Sequence, residues 1–191
     1  MKQKKLYIIA GPNGAGKTTA SYEILPELWN CTEFVNADEI ARGLSPLDPE
    51  KVAVEAGRIQ LLRIDQLIKN ESTFSIETTL ATRSYKNLIT KAHNLGYKVE
   101  LLFFYLPSVE DAITRVRLRV SSGGHNIPED TIRRRYEKGL LNLFQIYIPI
   151  VDQWQIIDNK KNPSFVIAKK NGVVSVNDTT LFNYLKSKYG H

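Results

Sequence analysis

One cysteine and three histidines in 191 residues exclude a disulfide framework, and with Cys31 alone and His191 terminal they leave no zinc-ligand spacing. Long apolar runs are missing too. The first, residues 6–10, stops at Gly11 and is too short for a signal-peptide core or a membrane span. A soluble, cytoplasmic chain with no membrane partner is expected. No fixed-period repeat, low-complexity tract or Pro/Gly/Ser-rich linker divides the sequence, so its 42% hydrophobic and 24% charged residues are expected to form one domain over 1–191. The net charge of +6 invites nucleic acid, yet much of the excess sits in two clusters, Arg115/Arg117/Arg119 and Arg133/Arg134/Arg135. Aromatics are not interleaved with them as a platform for stacked bases requires, which argues against that partner. The clusters suit a phosphate-rich ligand or form solvated helix faces.

Apolar runs alternate with helical stretches. Strands are expected at 6–10, 33–36, 73–77, 98–106 and 155–158, with helices at 17–28, 39–43, 50–70, 85–95, 109–120 and 129–145. In the 50–70 helix, Val54, Ile59, Leu62 and Leu67 stand at near-helical spacing. Residues 98–106 are apolar on both faces, as in a central parallel strand covered by helices. A hairpin is expected at 165–176 around Lys170-Asn171-Gly172. The fold class is α/β: a doubly wound, mostly parallel sheet with a C-terminal β-hairpin, its ligands at the C-terminal ends of the strands.

Gly11, Pro12, Asn13, Gly14, Ala15, Gly16, Lys17 and Thr18 match G-x-x-x-x-G-K-[ST] at every fixed position, between a strand and a helix. In such a P-loop the glycines turn backbone N–H groups onto phosphate oxygens, and the next helix offers its positive end to the same anion. Lys17 supplies a point charge for the β/γ-phosphates, Thr18 a hydroxyl for Mg²⁺, and Thr19 continues the nucleotide-contacting run. As a rim lysine, Lys17 is expected to contribute little to the core. The dinucleotide fingerprint G-x-G-x-x-G fails at Thr19. ATP with Mg²⁺ is therefore expected. A guanine motif N-K-x-D is absent, since Asn159-Lys160-Lys161-Asn162 ends in asparagine, and the strand at 98–106 runs into Pro107 rather than a metal-holding acid. These absences leave a small-molecule kinase, which needs a base at a neighbouring strand tip and an arginine-rich lid.

Asp38 lies 21 residues after Lys17, just past the second strand, where a carboxylate can take the proton of an acceptor hydroxyl or cap a short helix. Glu77, Thr78 and Thr79 follow the third strand and can hydrogen-bond a polyhydroxylated acceptor or end a strand. Arg83, taken as one helical turn from Thr79, is a candidate for an acceptor phosphate. A helical lid is expected over about 115–135. Arg115 and Arg119, four apart, share one face, and Arg134 and Arg135 lie across the loop at 121–128, with His125 at its tip to meet a phosphate or solvent. His93 reads as a surface helix residue.

Four segments together resemble the zeta toxins, and more closely short stand-alone relatives of that family: GPNGAGKTT at 11–19, FVNADEIARGLSP at 34–46, FSIETTL at 74–80 and RVRLRVSSGGHNIPEDTIRRRYEKGLLNL at 115–143. The resemblance spans about residues 4–160. It implies ATP/Mg²⁺-dependent phosphorylation of a hydroxyl on a nucleotide sugar such as UDP-N-acetylglucosamine. By the same resemblance Lys17 and Thr18 serve the phosphates, Asp38 is the base, Glu77 and Thr78 contact the acceptor, Arg119 and Arg134 are the lid arginines, and an antitoxin protein is a partner. Zeta-like sequences also resemble chloramphenicol phosphotransferases and nicotinamide dinucleotide kinases. An antibiotic or dinucleotide acceptor therefore stays open, as does an ATPase or nucleotide switch without an acceptor.

Overall fold

The computed structural model describes residues 3–124, 126–160 and 165–191. His125 lies outside the described residues. In chain order the elements are β1 (Lys5–Ala10), α1 (Lys17–Glu27), β2 (Phe34–Val35), α2 (Ala37–Leu44), a 3₁₀ turn (Pro49–Val52), α3 (Ala53–Lys69), β3 (Phe74–Thr78), α4 (Tyr85–Asn94), β4 (Lys98–Tyr105), α5 (Val109–Ser121), α6 (Glu129–Asn142), a π turn (Leu143–Tyr147), α7 (Ile148–Ile150), β5 (Gln153–Asp158), β6 (Phe165–Asn171), β7 (Val173–Val176) and α8 (Thr179–Tyr189).

The strands form one seven-stranded sheet in the order β2-β3-β1-β4-β5-β6-β7. The first five pair in parallel, and β6 and β7 pair antiparallel, the hairpin turning at Gly172 with φ 74°. Helices cover both faces of the central strands, so these read as apolar runs without alternation. Ile8, Ile9, Val99 and Phe103 are at most 1% exposed. Strand β1 lies between β3 and β4, so the order reverses beside it. Residues leaving the C-terminal ends of β1, β2 and β3 share one rim, where an open α/β sheet places its ligand. No helix among the described residues is long and apolar enough to cross a membrane.

Three local readings need correction. In α3 the buried residues are Ala56, Gln60, Ile64, Leu67 and Ile68, while Val54 is 73% and Leu62 66% exposed. The inward row runs 56, 60, 64, 68, and a glutamine within it hides the stripe from a hydropathy reading. Helix α8 has no counterpart in the sequence expectation, although Leu181, Leu185 and Tyr189 recur in it at four-residue spacing. It forms with Asp178 as cap, whose side chain accepts the Leu181 N–H, and with Phe182 stacked on Trp154 at 6.0 Å between centroids. The helix expected at 129–145 also passes from α to π geometry at Leu143.

Candidate active site

The loop between β1 and α1 is built on backbone that side chains would obstruct. At Gly11 (φ 143°) a Cβ would stand 2.4 Å from the Phe104 carbonyl oxygen, and at Gly14 (φ 76°) 2.9 Å from that of Ala112. Helix α1 then starts at Lys17 with Gly16 as cap, no side-chain cap bond and no acid in its first turn. Its first N–H groups and positive dipole end therefore meet no internal competitor, the condition for anion binding.

Lys17 is not a rim residue. It is 6% exposed, and its Nζ donates to the Pro12 carbonyl at 3.0 Å and stands 3.7 Å from Glu77 Oε1. The acid that β4 lacks comes from β3: parallel pairing sets Ile9 opposite Glu77 and Ala10 opposite Thr78, which brings the Glu77 carboxylate beside the loop. Thr18 Oγ1 donates to Glu77 Oε2 at 2.8 Å, and Asn36 Nδ2 donates to the same oxygen at 3.0 Å. Burial pushes the Glu77 carboxyl above its ordinary pKa, with Lys17 pulling it back. Burial lowers the Lys17 ammonium, against the attraction of Glu77 and Asp38.

A Mg²⁺ ion fits this donor set. Thr18 and Glu77 present hard oxygens at hydrogen-bond separation, and Mg²⁺ takes only one or two protein ligands where phosphates and water supply the rest. Among the described residues no group of three or more His, Cys, Asp or Glu side chains is placed to hold an ion alone.

Two cavities meet at this point. One, of about 660 Å³, lies along the loop and is lined by Gly14, Gly16, Thr18, Thr19, Arg115 and Arg119 among others. The other, of about 400 Å³, runs from the loop toward α3, α4 and α6 and includes Gln60, Thr78, Thr79, Tyr85, Arg134 and Arg135. Asn13, Lys17, Asp38 and Glu77 line both. Asp38 is not the helix cap. Asn36 caps α2, its Oδ1 accepting the Asp38 N–H at 2.9 Å, and Asp38 stands in the first turn. Two cap-competent residues two apart make the choice ambiguous in sequence, and the observed one relieves the Asp38 carboxylate of the capping role.

The six arginines divide by partner. Arg117 pairs with Glu129 and Arg133 with Glu110, the latter at 2.8 Å, which ties α5 to α6 on their exposed sides. Arg115 and Arg119 line the first cavity, Arg134 and Arg135 the second. Arg83 joins neither: α4 begins only at Tyr85, so residues 79–83 are not helical and Arg83 is exposed on the connection. Lys138 stands in the second cavity instead.

The turn after β3 sets the distance between α6 and the second cavity. Leu80 adopts φ 57°, costly for a non-glycine residue. Thr78 Oγ1 accepts its N–H at 3.0 Å, and Asn142 Nδ2 of α6 donates to its carbonyl at 2.7 Å. Gly139 lets the helix approach: a Cβ there would fall 2.4 Å from the Thr79 carbonyl oxygen. Gly139→Ala is expected to destabilise the protein by about 1–3 kcal/mol in chemical denaturation, because the obstacle is backbone, and to pull Arg134, Arg135 and Lys138 off the cavity.

Three residues here had no weight in the sequence reading. Asn36 holds Glu77, and Gln60 lies in the second cavity. Asn159, noted only within a failed guanine motif, donates from Nδ2 to the Ala15 carbonyl at 2.7 Å, while its own carbonyl accepts from Arg115 at 2.9 Å, so the end of β5 braces the loop.

Comparison with known proteins adds a family. The zeta toxin family model matches residues 1–171. An uncharacterized protein of Haemophilus influenzae is 32% identical over 136 residues, which is 70% of this chain and 94% of that protein. Among solved structures, the AvrRxo1-ORF1:-ORF2 assembly with ATP aligns with TM-score 0.75 at 18% identity, over 96% of this chain and 63% of that one. The PezAT chromosomal toxin-antitoxin system of Streptococcus pneumoniae aligns with TM-score 0.66 at 18% identity, over 98% and 78%. This chain thus spans less than two thirds of the matched chain of the AvrRxo1-ORF1:-ORF2 assembly.

Proposed function

The chain belongs to the zeta toxin family, and from that membership and the geometry above we propose that it is an ATP-dependent kinase that phosphorylates a hydroxyl of a nucleotide sugar, with UDP-N-acetylglucosamine as the first acceptor to test. The observation that carries the reading is the wall of Asn13, Lys17, Asp38 and Glu77 common to two cavities. A nucleotidase needs one cavity and a water; a kinase needs a second compartment opening on the transferring phosphoryl group.

In this reading ATP lies along the loop, its γ-phosphate at the N-terminus of α1 and beside Lys17. The acceptor oxygen attacks the γ-phosphorus in line, the bond from that phosphorus to the β–γ bridging oxygen breaks, and ADP leaves. Asp38 orients the hydroxyl and takes its proton. Thr18 and Glu77 would hold Mg²⁺, which when bound neutralises charge on the β/γ oxygens. Arg119 from the nucleotide side and Arg134 from the acceptor side stabilise charge on the phosphoryl group. Arg135 and Lys138 suit the diphosphate of the acceptor, and Thr78 and Thr79 its hydroxyls. Residues 115–135 act as the lid of a single kinase domain spanning 1–191. The toxin-antitoxin system among the fold relatives supports a proteinaceous antitoxin as partner.

The test is mass spectrometry of UDP-N-acetylglucosamine incubated with enzyme, ATP and Mg²⁺. One added phosphoryl group supports the reading; ATP consumption with no phosphorylated acceptor, there or in a metabolite extract, removes it. The arginines give a second check on rates. Arg119→Ala and Arg134→Ala are each expected to lower kcat by about 10²-fold or more, as loss of a transition-state donor does. Arg117→Ala and Arg133→Ala, whose partners are solvent-exposed carboxylates, should stay within about twofold of wild type.

A further inference from the structure

The acceptor cavity holds a polar group that the fold does not satisfy. Gln60 is 5% exposed on the inward row of α3, among Ala56, Ile64 and Ile68, where an apolar side chain would pack without any hydrogen-bonding demand. Its Oε1 accepts from the Tyr85 hydroxyl at 3.5 Å. Its Nε2 is buried with no hydrogen-bond partner among the described residues. A buried amide N–H left in that state opposes folding, so its retention on a cavity wall points to a ligand that completes it.

The charges of the cavity tell which part of a ligand arrives there. Among the described residues the lining cations are Lys17, Arg134, Arg135 and Lys138, from α1 and α6; α3 and α4 contribute none. An anionic group is held on the α6 side, and the surface of Gln60, Tyr85 and Thr78 faces an uncharged portion. We infer that Gln60 is a specificity-determining residue of the acceptor site, its side-chain amide donating to an uncharged carbonyl or hydroxyl oxygen of the acceptor. The Tyr85 hydroxyl orients that amide by occupying its oxygen end. This inference rests on the kinase reading and deepens it by naming what the acceptor must present opposite its phosphates.

The experiment compares wild type with Gln60→Met, which keeps the length and removes the donor, and Gln60→Glu, which keeps the shape and replaces the donor by an acceptor oxygen. UDP-N-acetylglucosamine and UDP-glucose are the probes, the first offering an acetamido carbonyl where the second has a hydroxyl. KM and kcat are measured for each at saturating ATP, with Tm of the unliganded proteins. Gln60→Met should raise acceptor KM roughly tenfold, the value of one hydrogen bond, and leave KM for ATP in place. Gln60→Glu should raise acceptor KM further. If the carbonyl is the partner, preference for the N-acetyl sugar collapses in Gln60→Met; if a hydroxyl, both sugars lose equally. An unchanged acceptor KM in Gln60→Met overturns the inference and makes Gln60 a structural residue. Should wild type leave both sugars unmodified, the nucleotide-sugar assignment falls alone, and transfer from γ-labelled ATP into a small-metabolite extract decides the rest. A labelled product weakened in Gln60→Met supports the inference, equal labelling overturns it, and no labelling by wild type overturns both it and the kinase reading.

Discussion

Asp38→Asn is expected to lower kcat for phosphoryl transfer by about 10²–10⁴-fold, the contribution of a positioned general base, while ATP affinity stays within a few-fold of wild type. The asparagine keeps the shape of the side chain and loses its proton affinity. Helix α2 should tolerate the change because its cap is Asn36, whose Oδ1 receives the backbone N–H of residue 38. A drop in Tm is therefore not expected, which separates this variant from one that misfolds. The position decides the size of the effect: Asp38 stands on the wall between the two cavities, where an attacking hydroxyl would have to pass. Steady-state kinetics with calorimetry of ATP binding checks it. Weakened ATP binding with kcat unaltered would make Asp38 part of the nucleotide or metal shell instead.

What the sequence disclosed of this site follows the range of each interaction. Strand, glycine loop and helix at residues 5–27 are consecutive, and their geometry depends on local φ/ψ demands that Gly11 and Gly14 answer, so that part was legible residue by residue. Arg115 and Arg119 were legible as a pair because four residues make one helical turn. Their division of labour from Arg117 and Arg133 was not, because it depends on Glu129 and Glu110 reached across the α5–α6 packing. Glu77 was recognised as a strand-tip carboxylate, yet its place beside Lys17 and Thr18 comes from β3 pairing with β1 in a register that only the sheet supplies. Arg83 failed for a local reason, the non-helical turn at Leu80. Gln60 was invisible because a polar residue in an inward row breaks the pattern used to find that row, and such breaks belong where a site is being built.

Lys17→Ala is expected to remove detectable transfer and also to destabilise the unliganded protein, the second effect following from burial that a rim position would not have. Lys17 and Glu77 expose 7% and 8% of their side chains at a separation of 3.7 Å, and loss of the cation leaves a buried carboxylate with Thr18 and Asn36 as its side-chain donors among the described residues. Removing one partner of a buried pair typically costs about 3–5 kcal/mol. Protonation of Glu77 limits that cost, since burial already holds its carboxyl above the ordinary range. The neutral acid then gives up part of its bonding with Thr18 and Asn36. Lys17→Ala with Glu77→Gln should accordingly recover much of the lost stability, because no net charge remains buried and the amide oxygen can still accept from Thr18 or Asn36. It should recover none of the transfer, because in the proposed reaction the phosphoryl group would lose its cation and the metal a carboxylate. A double-mutant cycle in urea, run beside transfer assays on the same four proteins, measures both quantities. Equal stability of Lys17→Ala and wild type would show that the ammonium contributes nothing to the folded state, and a double variant no more stable than Lys17→Ala would place the cost in lost packing around the lysine stem rather than in the stranded charge.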